Sequence, residues 1–362
     1  MIDNNKIIGI IALSELKGIG PAFIKKVLSK NTFENTNLIQ GIKEITRANN
    51  KQFDDDTIYE AVESAKEIVF KCKEEGITII EFTSEDYPIL LKEIKDPPSV
   101  IYCKGNLDLL YNKTVCIIGT REPNENAMKI SERIGSFYSN TNWAICNGLA
   151  EGVDNFSIKS NDKIHDKVIG ILAGGLNYNT KKTLLKKTAE NAEKTIESGG
   201  LLISEMPPDK KEDTFTVVKS CRIQAGLSNG LILIQSSLDG GSRFTTKSFC
   251  ETQRPIAVIN PVQSDIDLPT YNANKEIILN SKKGLSKFTE LKEDKIHISF
   301  EVFPPKTDAG FEKVIAATDA MAKLNPAFIS VTYGAGGGTS KNTAKIASHI
   351  KDDLGVVSLA HL

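Results

Sequence analysis

Apolar residues recur at helical spacing over the first 75 positions, and from Thr114 short β-branched apolar runs take over, separated by further helical patterns. In the first region Ile7, Ile10, Ile11 and Leu13 lead into Leu16-Lys17-Gly18-Ile19-Gly20-Pro21, after which Phe23, Val27 and Leu28 resume the helical period. Two glycines permit a tight turn, and proline suits a first helical position. The pattern predicts a helix-hairpin-helix, whose turn amides suit a backbone phosphate; a plain turn between two packed helices fits the same residues.

The second region predicts strands at Thr114–Ile118, Ala144–Cys146, Val168–Leu172, Leu201–Ser204, Leu231–Gln235 and Ile256–Ile259. Helical patterns such as Glu132–Tyr138, Lys181–Ile196 and Thr245–Thr252 lie between them. Alternation of this kind implies a parallel sheet covered by helices on both faces, a Rossmann-like doubly wound domain. Such sheets bind ligands beyond the carboxyl ends of their strands. The strands are followed there by Gly119-Thr120-Arg121, by the run Asn147 to Asp154, by Ala173-Gly174-Gly175-Leu176-Asn177 and by Asp239-Gly240-Gly241-Ser242. Glycine lets backbone amides approach a phosphate, so four such loops on one edge predict a phosphate-cradling pocket, with Arg121, Arg222 and Arg243 as its charged partners. Neither a G-x-G-x-x-G nor a P-loop motif occurs.

Composition narrows the reading. The chain has 362 residues and a net charge of −1, which excludes a globally basic nucleic-acid binder but not a local basic pocket. Residues 1–100 carry 13 basic and 17 acidic side chains, residues 101–290 carry 24 and 21, and residues 291–362 carry 8 of each. The six cysteines are scattered without a C-x-x-C pair, as expected of free thiols in a reducing cytoplasm. No apolar stretch approaches the ~20 residues needed to cross a bilayer, so no membrane association is expected. His165 alone precedes residue 297, which nearly excludes a histidine triad or metal site there and reads as a solvated loop residue; His297, His349 and His361 follow. Alanine shifts likewise, with 14 in residues 1–296 and 10 in 297–362, which marks a seam between sequences of different origin.

A long ordered series of motifs links these regions. It begins with Asp86-Tyr87-Pro88, Asp96-Pro97-Pro98 and Lys104-Gly105-Asn106, then takes in Gly119-Thr120-Arg121 and Gly148-Leu149-Ala150 with Gly152 and Asp154. Gly174-Gly175-Leu176, Ser204-Glu205, Pro207-Pro208, Arg222, Ala225-Gly226-Leu227-Ser228, Gly241-Ser242, Thr245, Glu251 and Arg254 complete it. The series resembles the DNA-processing protein A (DprA/Smf) family from the hairpin near Gly18 to about Asp294. The resemblance implies a cytoplasmic, non-catalytic, self-associating protein, expected as a homodimer. It would bind single-stranded DNA and help load the RecA recombinase in natural transformation. It places the DNA- or phosphate-binding set at Gly119, Thr120, Arg121, Asn147, Gly148, Gly152, Gly174, Gly175, Arg222, Gly241, Ser242 and Thr245. The chain departs from the family pattern at Ser220-Cys221, where Arg-Asn is usual, and at Asn147, Ile158 and Asn177, where Ser, His and Asp are usual. Losing a phosphate-paired arginine weakens binding and flattens its salt dependence.

The last segment differs. The Ser299 to Pro305 run and Ser330-Val331-Thr332-Tyr333-Gly334-Ala335 are similar to the start of methylenetetrahydrofolate reductase, a flavin-dependent (β/α)₈ barrel. That resemblance puts Glu301 at a general-acid position and Thr332, Tyr333 and His361 at flavin-contacting positions. A barrel needs eight strands and typically ~250 residues, so FAD binding and reductase activity are not expected here. The expected architecture is α/β: a helical helix-hairpin-helix/SAM-like domain (1–75), an extended Rossmann-like doubly wound parallel sheet (76–296) and an incomplete (β/α) barrel fragment (297–362). No metal or other cofactor is expected. Two alternatives stand beside the DNA-binding reading. One is a nucleotide sensor or phosphoribohydrolase-like enzyme in the same pocket, with Glu251 acting in catalysis rather than pairing with Arg254. The other is a flavin-dependent reductase fusion.

Overall fold

The computed structural model describes residues 4–28, 33, 37–289, 299–302, 305, 308–323, 328–331, 340–356 and 358–360. Four helices open the chain: α1 (Asn4–Glu15), α2 (Pro21–Leu28), α3 (Leu38–Ala48) and α4 (Asp55–Glu74). Asn37 and Asp54 cap the last two through their side chains, and Pro21 begins α2 as the sequence predicts. The α1–α2 turn needs its first glycine, because Gly18 has a φ of +80°. β1 (Thr78–Glu81), α5 (Ile89–Lys92) and β2 (Val100–Gly105) follow.

The central unit then alternates. It runs β3 (Lys113–Ile118), α6 (Glu125–Ser139), β4 (Trp143–Asn147), α7 (Val153–Ser157), a small hairpin of β5 (Lys159–Ser160) and β6 (Lys163–Ile164), and β7 (Val168–Leu172). Next come α8 (Tyr178–Lys181), α9 (Lys186–Glu197), β8 (Leu201–Ser204), α10 (Thr214–Leu227), β9 (Gly230–Leu233), α11 (Ser242–Cys250), β10 (Ile256–Val258) and α12 (Asn272–Thr289). The eight-stranded sheet has the order β1-β2-β8-β7-β4-β3-β9-β10. From β8 to β10 every pairing is parallel, and β2 and β1 add an antiparallel margin. The fold is thus mixed α/β with a largely parallel sheet.

Alternate residues of the strands enter different cores, as the two-residue strand period requires. Val168 and Leu172 pack in one buried cluster with Ile10, Ile11 and Ile58 of the helical head, whereas Ile169 and Ile171 pack with Ile223 and Leu227 of α10. The head therefore shares its core with one face of the sheet. After β3, the chain builds outward through β4, β7 and β8, then returns to the other side of β3 for β9 and β10. The order reverses between β3 and β9, which puts the crevice of a doubly wound sheet beside the loops that follow these two strands.

Six strands predicted from the sequence are present with boundaries shifted by up to two residues; Ile234 and Gln235 lie beyond β9. The antiparallel pair β1 and β2 lies outside the predicted strand set, in the stretch before Thr114 where the strand–helix alternation begins. The helix expected over Lys181–Ile196 is two helices, broken where Lys182 takes a φ of +49°. His165 is half-buried rather than a solvated loop side chain: its Nε2 is enclosed with no hydrogen-bond partner among the described residues, and burial lowers its pKa. Arg254 does not pair with Glu251. Its guanidinium donates to the carbonyls of Ala225, Gly226 and Ser228 at the end of α10 and to that of Leu90, and pairs with Glu93 (3.5 Å).

The last segment holds β11 (Ser299–Val302), α13 (Asp308–Ala322), β12 (Phe328–Val331), α14 (Ser340–Ser348), a π-helical turn at His349–Asp353 and β13 (Ser358–Ala360). Its strands form a parallel sheet in the order β11-β12-β13, with Val302, Ile329, Val331, Ile346 and Ile350 buried in a core of their own. Among the described residues no helix is long and apolar enough to cross a membrane.

Replacing Arg254 by Met should lower stability by about 2–3 kcal/mol, since a cation bonded to helix-terminal carbonyls is lost and those carbonyls are left partly buried. Urea unfolding of the full chain reads this directly; an unchanged midpoint would show that solvent replaces the guanidinium.

Candidate functional site

The loops after β3, β4 and β9 meet at the carboxyl edge of the sheet. Thr120 N–H donates to the Gln235 carbonyl (2.8 Å), and Val153 N–H donates to the Thr120 carbonyl (3.1 Å). Gly119 and Gly152 allow this approach. A Cβ on Gly119 would lie 2.5 Å from Val153, and one on Gly152, at φ +81°, would lie 2.3 Å from the Thr120 carbonyl. These glycines bring loop against loop, which differs from the expected role of opening amides to a phosphate.

Asp154 uses the amides of the β4 loop. Its Oδ2 accepts from Gly148 N–H (3.0 Å) and Ala150 N–H (3.4 Å). Burial outweighs these bonds and the nearby Arg121 charge, and pushes the Asp154 pKa up to about 7. Asn147, expected at the phosphate, is fully buried: its Nδ2 donates to the Ser157 hydroxyl (3.0 Å) and its Oδ1 accepts from Leu149 N–H (3.0 Å). Gly148 and Asn147 are therefore corrected from anion-binding to internal roles, because the loop finds its partners within itself.

The β7 loop is corrected for a different reason. Gly174 and Gly175 are buried against the segment 207–212, where Gly175 N–H donates to the Lys210 carbonyl and Asn177 N–H to that of Pro208. A Cβ on Gly175 would lie 2.0 Å from the Pro207 carbonyl, so glycine is required for packing. Arg222 is likewise committed. It forms a two-pronged pair with Glu205 (2.7 and 2.9 Å), and its Nε donates to the Asp96 carbonyl (2.8 Å) and side chain (3.1 Å). Burial opposes its charge, but the two carboxylates hold its pKa above the ordinary value. The guanidinium ties α10 to the ends of β8 and of the 96–98 loop, which leaves it unavailable to a ligand.

Ser242 and Thr245 are buried in α11, with hydroxyls bonded to Ser236 (2.7 Å) and Gln224 (3.5 Å). Gly241 is exposed with open space around it, and Arg243 stacks over the Phe244 ring at 5.0 Å. Thr120 also accepts from Glu122 N–H through its hydroxyl (3.2 Å). Within this tied edge Arg121 is exposed and its side chain makes no hydrogen bond or ion pair among the described residues; Arg243 is half-buried against the Phe244 ring. The Arg121 charge reaches both Asp154 and Glu212, so it stands between the β4 loop and the segment after β8.

The structure adds residues that motif reasoning passed over. Glu212 N–H donates to the Thr183 carbonyl, and the Glu212 side chain accepts from Leu185 N–H. These bonds join two lysine-bearing segments into one lip, with exposed Lys181, Lys182, Lys186, Lys210 and Lys211. At its base Phe215, in the first turn of α10, is 72% exposed. The two double lysines, Lys181-Lys182 and Lys210-Lys211, were the available signal, visible only once their segments are paired. Glu251 is exposed at the C-terminal cap of α11. Thr332, Tyr333 and His361 lie outside the described residues, as does the side chain of Glu301. Among the described residues no cluster of His, Cys, Asp or Glu is placed to hold a metal ion.

The family model for DNA recombination-mediator protein A matches residues 78–294, more than half of the chain. The chain belongs to this family. It is 31% identical over 188 residues to the DNA processing protein DprA of Bacillus subtilis, covering 52% of this chain and 62% of the relative. It thus spans less than two thirds of that relative's length. Its fold is similar to that of DNA processing protein A from Streptococcus pneumoniae, with a TM-score of 0.61 at 22% identity, covering 77% of this chain and 93% of the other. The methylenetetrahydrofolate reductase model matches residues 287–362. There the chain is 40% identical over 67 residues to the 5,10-methylenetetrahydrofolate reductase of Escherichia coli, which is 18% of this chain and 23% of the enzyme.

Asp154 sets a pH dependence. Its folded pKa, about 7, lies above the ordinary 3.8, so between these values the folded state holds a proton that the unfolded state has released. Stability should therefore fall as pH rises from about 4 to about 7. Asp154→Asn should flatten this decline in thermal melts; a wild-type slope retained in the variant would assign the decline to other groups.

Proposed function

We propose that the chain is a non-catalytic, single-stranded-DNA-binding protein that assists RecA loading in natural transformation and recombination, acting as a cytoplasmic homodimer. The observation that carries the DNA reading is Arg121. It is an uncommitted guanidinium at the crevice where the strand order reverses, set on a loop tied at Thr120 and Asn124 and flanked by a lip of exposed lysines. A phosphate bound there gains charge-assisted contact without base-specific readout. The exposed Phe215 ring offers an unpaired base a stacking surface, which a duplex has no need of. The α1–α2 turn, as a helix-hairpin-helix, provides a further backbone contact in this reading.

Family membership supports the same assignment, as do the names of the relatives, which describe DNA processing. The reading gives no catalytic role to Glu251 or Glu301. It gives no reductase role to residues 287–362, whose described part supplies three parallel strands where the barrel closes with eight.

Oligo(dT) binding measured by fluorescence anisotropy over a salt series tests the reading. Arg121→Ala should weaken binding about tenfold and reduce the slope of log K against log salt by about one. Phe215→Ala should cost roughly 1–3 kcal/mol with the slope retained. Wild-type protein that fails to bind at low salt, or an Arg121→Ala variant indistinguishable from it, rejects the assignment.

A further inference from the structure

The loop that carries Arg121 is held by one residue outside the motif series. Gln235 follows the apolar run Leu231 to Ile234 and is fully buried. An amide in such a place is costly unless both of its ends are bonded. Both are: Oε1 accepts from Asn124 N–H (3.0 Å), and Nε2 donates to the Thr270 hydroxyl (2.9 Å). The Gln235 backbone carbonyl also accepts from Thr120 N–H (2.8 Å). One residue just beyond β9 thus grips the Arg121 loop at two points, Thr120 and Asn124.

The grip extends outward. Asn124 caps α6 by accepting from Ala127 N–H (2.9 Å), and its Nδ2 donates to Asp265 Oδ2 (2.8 Å), which also accepts from Asn126 (3.0 Å). The 263–271 segment is tied to this network through both Asp265 and Thr270. Every bond in this network is to backbone or to another side chain, and none uses Arg121.

We propose that Gln235 is the positioning residue of the Arg121 loop, clamping residues 120–124 between β9 and the 263–271 segment so that the guanidinium is presented to a DNA phosphate. The inference rests on the DNA-binding reading above and adds to it the residue that orients the contact. Gln235 touches no ligand; it acts through Arg121.

A double-mutant cycle in the full-length protein separates this role from a general loss of structure. Oligo(dT) affinity and salt slope are measured for wild type, Arg121→Ala, Gln235→Met and the double variant, with near-ultraviolet circular dichroism reporting the folded fraction. Gln235→Met should weaken binding per folded molecule about tenfold and lower the salt slope by about one, as loss of one phosphate contact does. The double variant should bind no more weakly than Arg121→Ala alone. Thr270→Val, which removes one exposed partner of the amide, should act in the same direction and more mildly. If Gln235→Met does not fold, the Thr270→Val result and its cycle with Arg121→Ala decide the matter. Independent, additive losses, or an unchanged slope in the folded Gln235→Met and Thr270→Val variants, overturn the clamp while the DNA reading stands. An ineffective Arg121→Ala overturns the DNA reading and the clamp with it.

Discussion

Asp154 accepts the amides of Gly148 and Ala150 because a turn closing over a buried strand end leaves donors that the sheet cannot satisfy. That constraint, a partner for each buried polar group, organises the whole carboxyl edge. Asn147 braces the loop from within, Gln235 takes up the Thr120 and Asn124 amides, and the hydroxyls of Ser242 and Ser236 bond each other. Arg254 closes the end of α10, and Arg222 ties the same helix to Glu205 and Asp96. The price of this order is that most conspicuous polar residues are already used.

What the edge leaves over is therefore informative. Arg121 stands on a loop bonded at Thr120 and Asn124, so its backbone is held while its side chain remains uncommitted. A guanidinium on a rigid support loses less entropy on contact than one on a mobile loop. The lysine lip contributes charge that the near-neutral total conceals, since the acidic excess lies in the first hundred residues. The buried cysteines take no part: burial raises the pKa of Cys146, to about 12, and of Cys221, which keeps both as neutral thiols.

The last segment obeys the same packing rules on a smaller scale. Its three parallel strands and two helices bury Ile329, Val331, Ile346 and Ile350 together, and His349 bonds both Asp319 (2.8 Å) and Asp353 (2.7 Å). The two family matches meet at residues 287–294, within the reach of α12 and the residues beyond it. This agrees with the compositional seam marked by alanine and histidine.

The alternation of strand and helix from Thr114 onward was legible because the two periods, two and 3.6 residues, are local properties of a side-chain pattern. Glycine positions, the family motifs and the change of character near residue 296 are local in the same sense. The strand order, the antiparallel margin of β1 and β2, and the identity of the free arginine were not legible. Arg222 meets Asp96 126 positions away, and Asn124 meets Asp265 141 positions away. From the sequence, Arg121 leads and Arg222 follows, yet both read as phosphate partners. Only the tertiary structure distinguishes them, because burial between two carboxylates binds one internally, while the crevice leaves the other facing solvent.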